Sequence, residues 1–359
     1  MERPTIHELR IENYGCIRDA TFRFTPLHAL IGPNDSGKTT VLRALRTIAW
    51  TVDSVIDPRA MNSLILALRA NKSGSRFMLS GPALTYELRF ASDGTYGTAS
   101  YERRSGATVR TQNEFSFANY NFAHGHTGPP NLPAGITTAL RGTQLLRLDP
   151  DFLRAPHALI ADGNPLRFDD ERGTGLPALY DALLVRDLPA YMALNEELAR
   201  LFPSVKSIQL MNPNHGTKAM GIKLVDGTVV PADQMSEGLL YYLAFAVLPH
   251  LEPTALLLVE EPENGLHPAR IAEVMRVLRA ISEKTQVIIA THSPLVVNEL
   301  RPEEVTVVTR SRETGTRATP IQTTPGFEER ARVYALGELW LSYANGDDEA
   351  PLLQGGSRP

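Results

Sequence analysis

The octapeptide Gly32-Pro33-Asn34-Asp35-Ser36-Gly37-Lys38-Thr39 constrains this chain more than any other stretch. It fits the pattern G-x-x-x-x-G-K-[ST]. Before it lies an apolar run, Leu27-His28-Ala29-Leu30-Ile31, which reads as a buried strand. After it, Val41, Leu42, Leu45, Ile48 and Ala49 recur at helical spacing through residues 39–50. Strand, glycine-bearing loop and helix in that order make a cradle for phosphate. The glycines let the backbone curl so that successive N–H groups point inward. The helix adds its positive N-terminal end. Lys38 can reach the β- and γ-phosphates of a nucleotide, and the Thr39 hydroxyl can ligate Mg2+.

A second buried strand, residues 255–259, runs into Glu260-Glu261-Pro262-Glu263. A nucleotide-hydrolysing site needs one carboxylate to hold the magnesium water shell and another to orient or deprotonate the attacking water. Glu260 and Glu261 fit those two needs because the chain turns at a strand end; Glu263 reads as a solvated or ion-paired residue. A third buried strand, 287–290, leads into Thr291-His292-Ser293-Pro294. Taken alone, His292 reads as a polar residue at a strand end; at the C-terminal edge of a parallel sheet, where ligands bind, its imidazole could contact a γ-phosphate. Met235-Ser236-Glu237-Gly238 opens an apolar helix over 238–251. Taken alone, Ser236 is an ordinary helix N-cap.

The rest of the chain sets the frame. Strands are expected at 7–11 and 20–24 with a turn at Tyr14-Gly15, and antiparallel hairpins over 77–122 with turns at Ser92-Asp93-Gly94 and Ser105-Gly106. A loop and boundary follow at 124–135. Residues 176–202 read as helical, 205–210 and 220–225 as strands followed by an Asp226-Gly227 turn, 268–281 as a helix and 304–309 as a strand. The division expected is a discontinuous α/β lobe of residues 1–75 and 235–345, with 76–234 supplying an antiparallel β portion and a helical lobe, and a disordered tail at 346–359. Asp347-Asp348-Glu349 in that tail reads as solvated charge.

Composition narrows the function. The 359 residues carry 40 acidic and 36 basic side chains, a net charge of −4. This disfavours a protein that coats DNA through general basicity. Arg103-Arg104, Arg141 and Arg147 read as scattered surface arginines, with a local basic patch as the alternative. A single cysteine, Cys16, excludes an intramolecular disulfide framework and a cysteine-based zinc site. The first residues have no apolar core of a secretory signal, and no run of ~18 apolar residues could span a membrane. A cytoplasmic location is expected.

Together, GPNDSGKTT, MSEGLLYYLAF, LLLVEEPENGLHP and ATHSP resemble, in order, the motifs of soluble ABC-type ATPases. The opening phrase LRIENYGCIRDATFRF and EEPENGLHP are similar to the overcoming-lysogenization-defect (OLD) group and its RecF-like relatives. The resemblance is strong over about 5–50 and 230–310 and loose between them. It implies an α/β P-loop NTPase fold of ABC-ATPase type, with a mixed sheet, an antiparallel β subdomain and an inserted α-helical lobe. It further implies that Gly32, Asn34, Ser36, Gly37, Lys38, Thr39 and Thr40 hold the phosphates and magnesium of ATP. Thr39 and Glu260 would serve Mg2+, Glu261 would be the catalytic glutamate, and His292 the switch histidine. Ser236 and Gly238 would act on ATP bound to the other protomer of a head-to-tail homodimer, with Asn264, Gly265 and Leu266 at its seam.

This sequence departs from the pattern in three places. Glu260 stands where Asp is usual, the signature is Ser-Glu-Gly, and the Q-loop glutamine is not obvious, Gln144 and Gln112 being the candidates. OLD proteins continue into a Toprim nuclease domain, for which residues 293–359 are too short. The implied partners are a second copy, a separately encoded nuclease or effector, and DNA, with no membrane. The implied function is an ATP-hydrolysing switch in nucleic-acid processing, repair or antiphage defence. The alternative is a nucleotide-gated scaffold with little turnover. A transporter subunit is disfavoured by the long β-rich insert, and a chromosome-structuring or repair ATPase by the lack of sustained heptads.

Overall fold

A computed structural model of the chain describes residues 5–50, 74–81, 84–90, 96–103, 109–116 and 134–344. These fall into two compact units: Met1–Gln144 with Thr254–Leu258 and Thr285–Pro359, and Leu145–Pro253 with Val259–Lys284.

The first unit opens with β1 (Glu8–Tyr14), β2 (Ile17–Arg23), β3 (Leu27–Ile31) and α1 (Lys38–Trp50). Then come β4 (Ser75–Ser80), β5 (Leu84–Phe90), β6 (Tyr96–Arg103), β7 (Val109–Ser116) and α2 (Ala134–Leu140). Six of these strands form an antiparallel sheet in the order β2-β1-β4-β5-β6-β7. Its register puts Leu9 opposite both Phe22 and Leu79, and Phe77 opposite Leu88. Leu9, Phe22, Phe77 and Leu88 are all fully buried. The alternate residues carry charge: Arg10 pairs with Asp19 and Glu12, Arg76 with Glu12 and Glu87, Arg89 with Glu87. A period of two with one dry and one charged face is what a half-exposed sheet requires.

The chain passes from the first unit to the second within β8 (Gln144–Leu146), and the second unit contains α3 (Pro150–Leu153), β9 (His157–Ala158), α4 (Leu176–Arg186) and α5 (Leu188–Leu201). It continues with β10 (Val205–Asn214), β11 (Thr217–Leu224), β12 (Val229–Pro231) and α6 (Glu237–Val247). β9 to β12 form a small antiparallel sheet. The helical stretch expected over 176–202 is broken at Asp187, whose carboxylate accepts from Ala190 N at 3.1 Å. Pro189 has no N–H to continue α4, and it is well suited to the first turn of a new helix. Leu239 to Val247 are buried without interruption. Such a helix is apolar all round and lies inside its unit. Tyr180 Oη donates to the Leu243 carbonyl at 2.9 Å, linking α4 to α6.

The chain ends with β13 (Leu256–Glu260), α7 (Pro268–Ser282), β14 (Gln286–Thr291), α8 (Pro294–Asn298), β15 (Val305–Ser311), β16 (Gly315–Pro320), α9 (Phe327–Arg330) and α10 (Leu336–Ala344). The central sheet has the order β16-β15-β3-β14-β13-β8. β3 is parallel to both neighbours, while β15 and β16 are antiparallel, so the sheet is mixed. β3 and β14 are buried at every residue. That is why they read as unbroken apolar runs.

Strands β4 to β7 stay with the N-terminal strands because β4 pairs with β1 over Glu8–Glu12. Helices α6 and α7 belong to the second unit, not to the lobe of the phosphate loop. The loop at 124–133, the turns at Ser92-Asp93-Gly94 and Ser105-Gly106, and the tail at 346–359 lie outside the described residues. No helix among the described residues is long and apolar enough to cross a membrane.

Candidate functional site

In the first unit, the phosphate loop leaves β3 and His292 leaves β14. These strands are neighbours, parallel, and in a register that sets Ile31 beside Thr291. Gly32 and His292 therefore start from the same level at the same sheet edge. The loop is drawn tight at Gly32, where a Cβ would fall 2.1 Å from the Val308 carbonyl oxygen of β15. Asp35 adopts a left-handed φ of 64°. The Lys38 ammonium is buried and donates to the carbonyls of Gly32 at 2.7 Å and Pro33 at 2.9 Å. Ser36 is 1% exposed, and its hydroxyl has no hydrogen-bond partner among the described residues. A buried orphan hydroxyl in a glycine-lined loop at a helix N-terminus fits an anionic ligand such as phosphate.

Two supports of this loop escaped sequence reading. Thr316 Oγ1 of β16 donates to the Ser36 carbonyl at 3.1 Å. The Thr40 hydroxyl lies 3.4 Å from Cys16 Sγ in the β1–β2 turn. Thr39 is half-buried, and Asn34 and the His292 side chain are exposed. Gln144 stands at the start of β8 in the sheet that carries the loop, whereas Gln112 lies on β7 in the other sheet.

In the second unit, Glu260 ends β13 and Glu261 turns away with a left-handed φ of 48°. A non-glycine residue there is strained, and such strain gathers at functional positions. The turn resolves the problem of two adjacent carboxylates leaving one strand end. Asn264 N then donates to the Glu261 carbonyl and Leu266 N to the Glu263 carbonyl, each at 3.1 Å. Arg147, read from sequence as surface charge, approaches Glu260 at 3.8 Å. Glu263 is half-buried.

The 261–266 loop packs on the start of α6. A Cβ at Gly238 would fall 2.7 Å from the Gly265 carbonyl oxygen. Gly238 is thus a contact residue for the loop after the glutamates. Ser236 occupies the N-cap of α6, yet its side chain makes no capping hydrogen bond and is exposed. The buried body of α6 holds this end in place. The Arg103 and Arg104 side chains lie outside what the structure describes, and Arg141 is exposed.

A family model described as "AAA domain, putative AbiEii toxin, Type IV TA system" matches residues 27–298, from β3 through α8. The chain is 20% identical over 342 residues to the OLD nuclease of Thermus scotoductus (strain ATCC 700910 / SA-01). That match covers 86% of this chain but 62% of the relative's length. Among solved structures, the Smc head bound to the C-winged helix domain of ScpA superposes with a TM-score of 0.55 at 16% identity, over 88% of this chain and 98% of that one. The Smc head with an extended coiled coil bound to the C-terminal domain of ScpA from Pyrococcus furiosus gives 0.52 at 14%, over 91% and 99%. The P-loop ABC-ATPase fold read from the motifs is the fold observed, and the chain belongs to the AAA-domain family that this model describes.

Proposed function

We propose that this protein binds ATP with Mg2+, pairs head to tail with a second copy, and hydrolyses ATP to switch a partner in nucleic-acid processing, repair or antiphage defence. The observation that carries the reading is the parallel register of β3 and β14, which sets the phosphate loop and His292 at one sheet edge. The loop amides and Lys38 hold the phosphates, the orphan Ser36 hydroxyl donates to one of them, and His292 contacts the γ-phosphate. Thr39 and Glu260 would hold Mg2+, which when bound neutralises charge on the β- and γ-phosphate oxygens. Glu261 orients the attacking water and takes its proton. Ser236, exposed and not spent on capping, reaches the nucleotide of the other protomer.

The relative's name speaks of a nuclease, and the Smc heads were solved with ScpA domains. A nuclease or effector protein and DNA are accordingly the partners proposed here, with the chain acting in the cytoplasm. A second reading, a nucleotide-gated scaffold with little turnover, is favoured by one feature. Glu260 replaces the usual shorter acid, and Arg147 lies against it.

Equilibrium binding of a fluorescent ATP analogue tests the common core of both readings. Mg2+-dependent binding that weakens at least about tenfold in Lys38→Ala is expected. Equal affinity in the wild type and the variant would overturn both.

A further inference from the structure

Helix α10 returns to the segment that begins at His292. Trp340, 3% exposed, donates from Nε1 to the His292 carbonyl oxygen at 3.1 Å. One turn earlier, Gly337 N donates to Asn298 Oδ1 at 2.7 Å. A Cβ at Gly337 would fall 2.2 Å from the Pro294 carbonyl oxygen, so the α10 backbone sits directly on the first turn of α8. On the upstream side, Thr291 Oγ1 accepts from Ser293 N at 2.9 Å. The peptide flanks of His292 are fastened by a strand, a side-chain turn and a helix from elsewhere in the chain, while its imidazole is exposed. The orientation of its own peptide units sets the Cα–Cβ direction and limits the rotamers of an exposed side chain. Here the peptide that leaves His292 is held at its carbonyl by the Trp340 indole N–H and at its N–H by Thr291 Oγ1.

We infer that α10 is a positioning element for His292, with Trp340 as its positioning residue. ATP binding and the C-terminal helix are thereby coupled: moving α10 re-aims the imidazole, and drawing the imidazole to a γ-phosphate pulls on the indole. This rests on His292 contacting that phosphate, and it adds a route by which the site communicates with the helix at 336–344.

The chain has two tryptophans, Trp50 and Trp340. Trp50→Phe leaves Trp340 as the sole indole reporter, far in sequence from the residues assigned to chemistry. Adding a non-hydrolysable ATP analogue with Mg2+ should shift Trp340 emission, and the further change His292→Ala should remove the shift without removing binding. In hydrolysis, Trp340→Phe keeps an aromatic ring but loses the donor; kcat should fall about tenfold with KM within about twofold. Leu339→Ala removes a buried apolar side chain of the same helix, one with no hydrogen-bond donor; it should lower stability without that fall in kcat. Emission indifferent to bound nucleotide, unchanged kcat in Trp340→Phe, or the same kcat loss in Leu339→Ala would each overturn the inference. Full hydrolysis in His292→Ala would instead overturn the reading of His292 itself, and the inference with it.

Discussion

At Gly32 there is no room for a methyl group, because the neighbouring strand's Val308 carbonyl oxygen occupies its place. Gly32→Ala must push β15 or the loop aside, and neither is a flexible side-chain tip. It should cost about 3 kcal/mol of stability in urea unfolding, and it should abolish nucleotide binding in whatever folds. His28, in the middle of β3, makes a different kind of prediction. Its Nε2 lies 3.0 Å from Thr306 Oγ1, and burial lowers its pKa from the ordinary 6.5 to about 3. The folded protein thus keeps His28 neutral where the unfolded chain protonates it. That stability is fully present above pH 6.5 and is lost as pH falls toward 3. Going from pH 7 to pH 5 should cost about 2 kcal/mol through this residue. The same pair of urea titrations on His28→Gln should lack that component; an identical pH loss would show that His28 is not its source.

Among the elements, α6 separates two explanations of one serine. A capping Ser236 would lose ~1 kcal/mol on truncation to alanine. Since no capping bond is made, Ser236→Ala should change thermal stability by less than about half of that, while lowering concentration-dependent ATP hydrolysis. Gly238→Ala presses a methyl group on the Gly265 carbonyl and should displace the loop that follows Glu261. Hydrolysis should fall about tenfold with nucleotide affinity nearly kept. Equal losses in affinity and rate would place Gly238 in ATP binding instead.

The elements also mark what the sequence could reveal. β3, β13 and β14 were legible because strands buried on both faces are apolar throughout, and α1 because its dry face repeats every 3.6 residues. β16 was not legible: GTRATP has little apolar content and is held by its hairpin with β15. The short helix α2 and the strand β8 carry too few residues for a period. α10 carries a readable signal in Leu336, Leu339 and Trp340, spaced as one helix face. The support that Thr316 gives Ser36 and that Trp340 gives His292 joins residues far apart in sequence. No local pattern encodes such contacts.

For the whole molecule, the four motifs are divided between two units, the phosphate loop and His292 on one and the glutamates and signature on the other. The proposed chemistry needs all four on one nucleotide, with the signature supplied by a second copy. Activity should therefore depend on assembly. The most direct measurement is the ATP hydrolysis rate per protomer against protein concentration, with wild type beside Glu261→Gln. The account predicts a rate that rises with concentration and a fall of at least ~100-fold in the variant. A rate independent of concentration, or unchanged in Glu261→Gln, would contradict it.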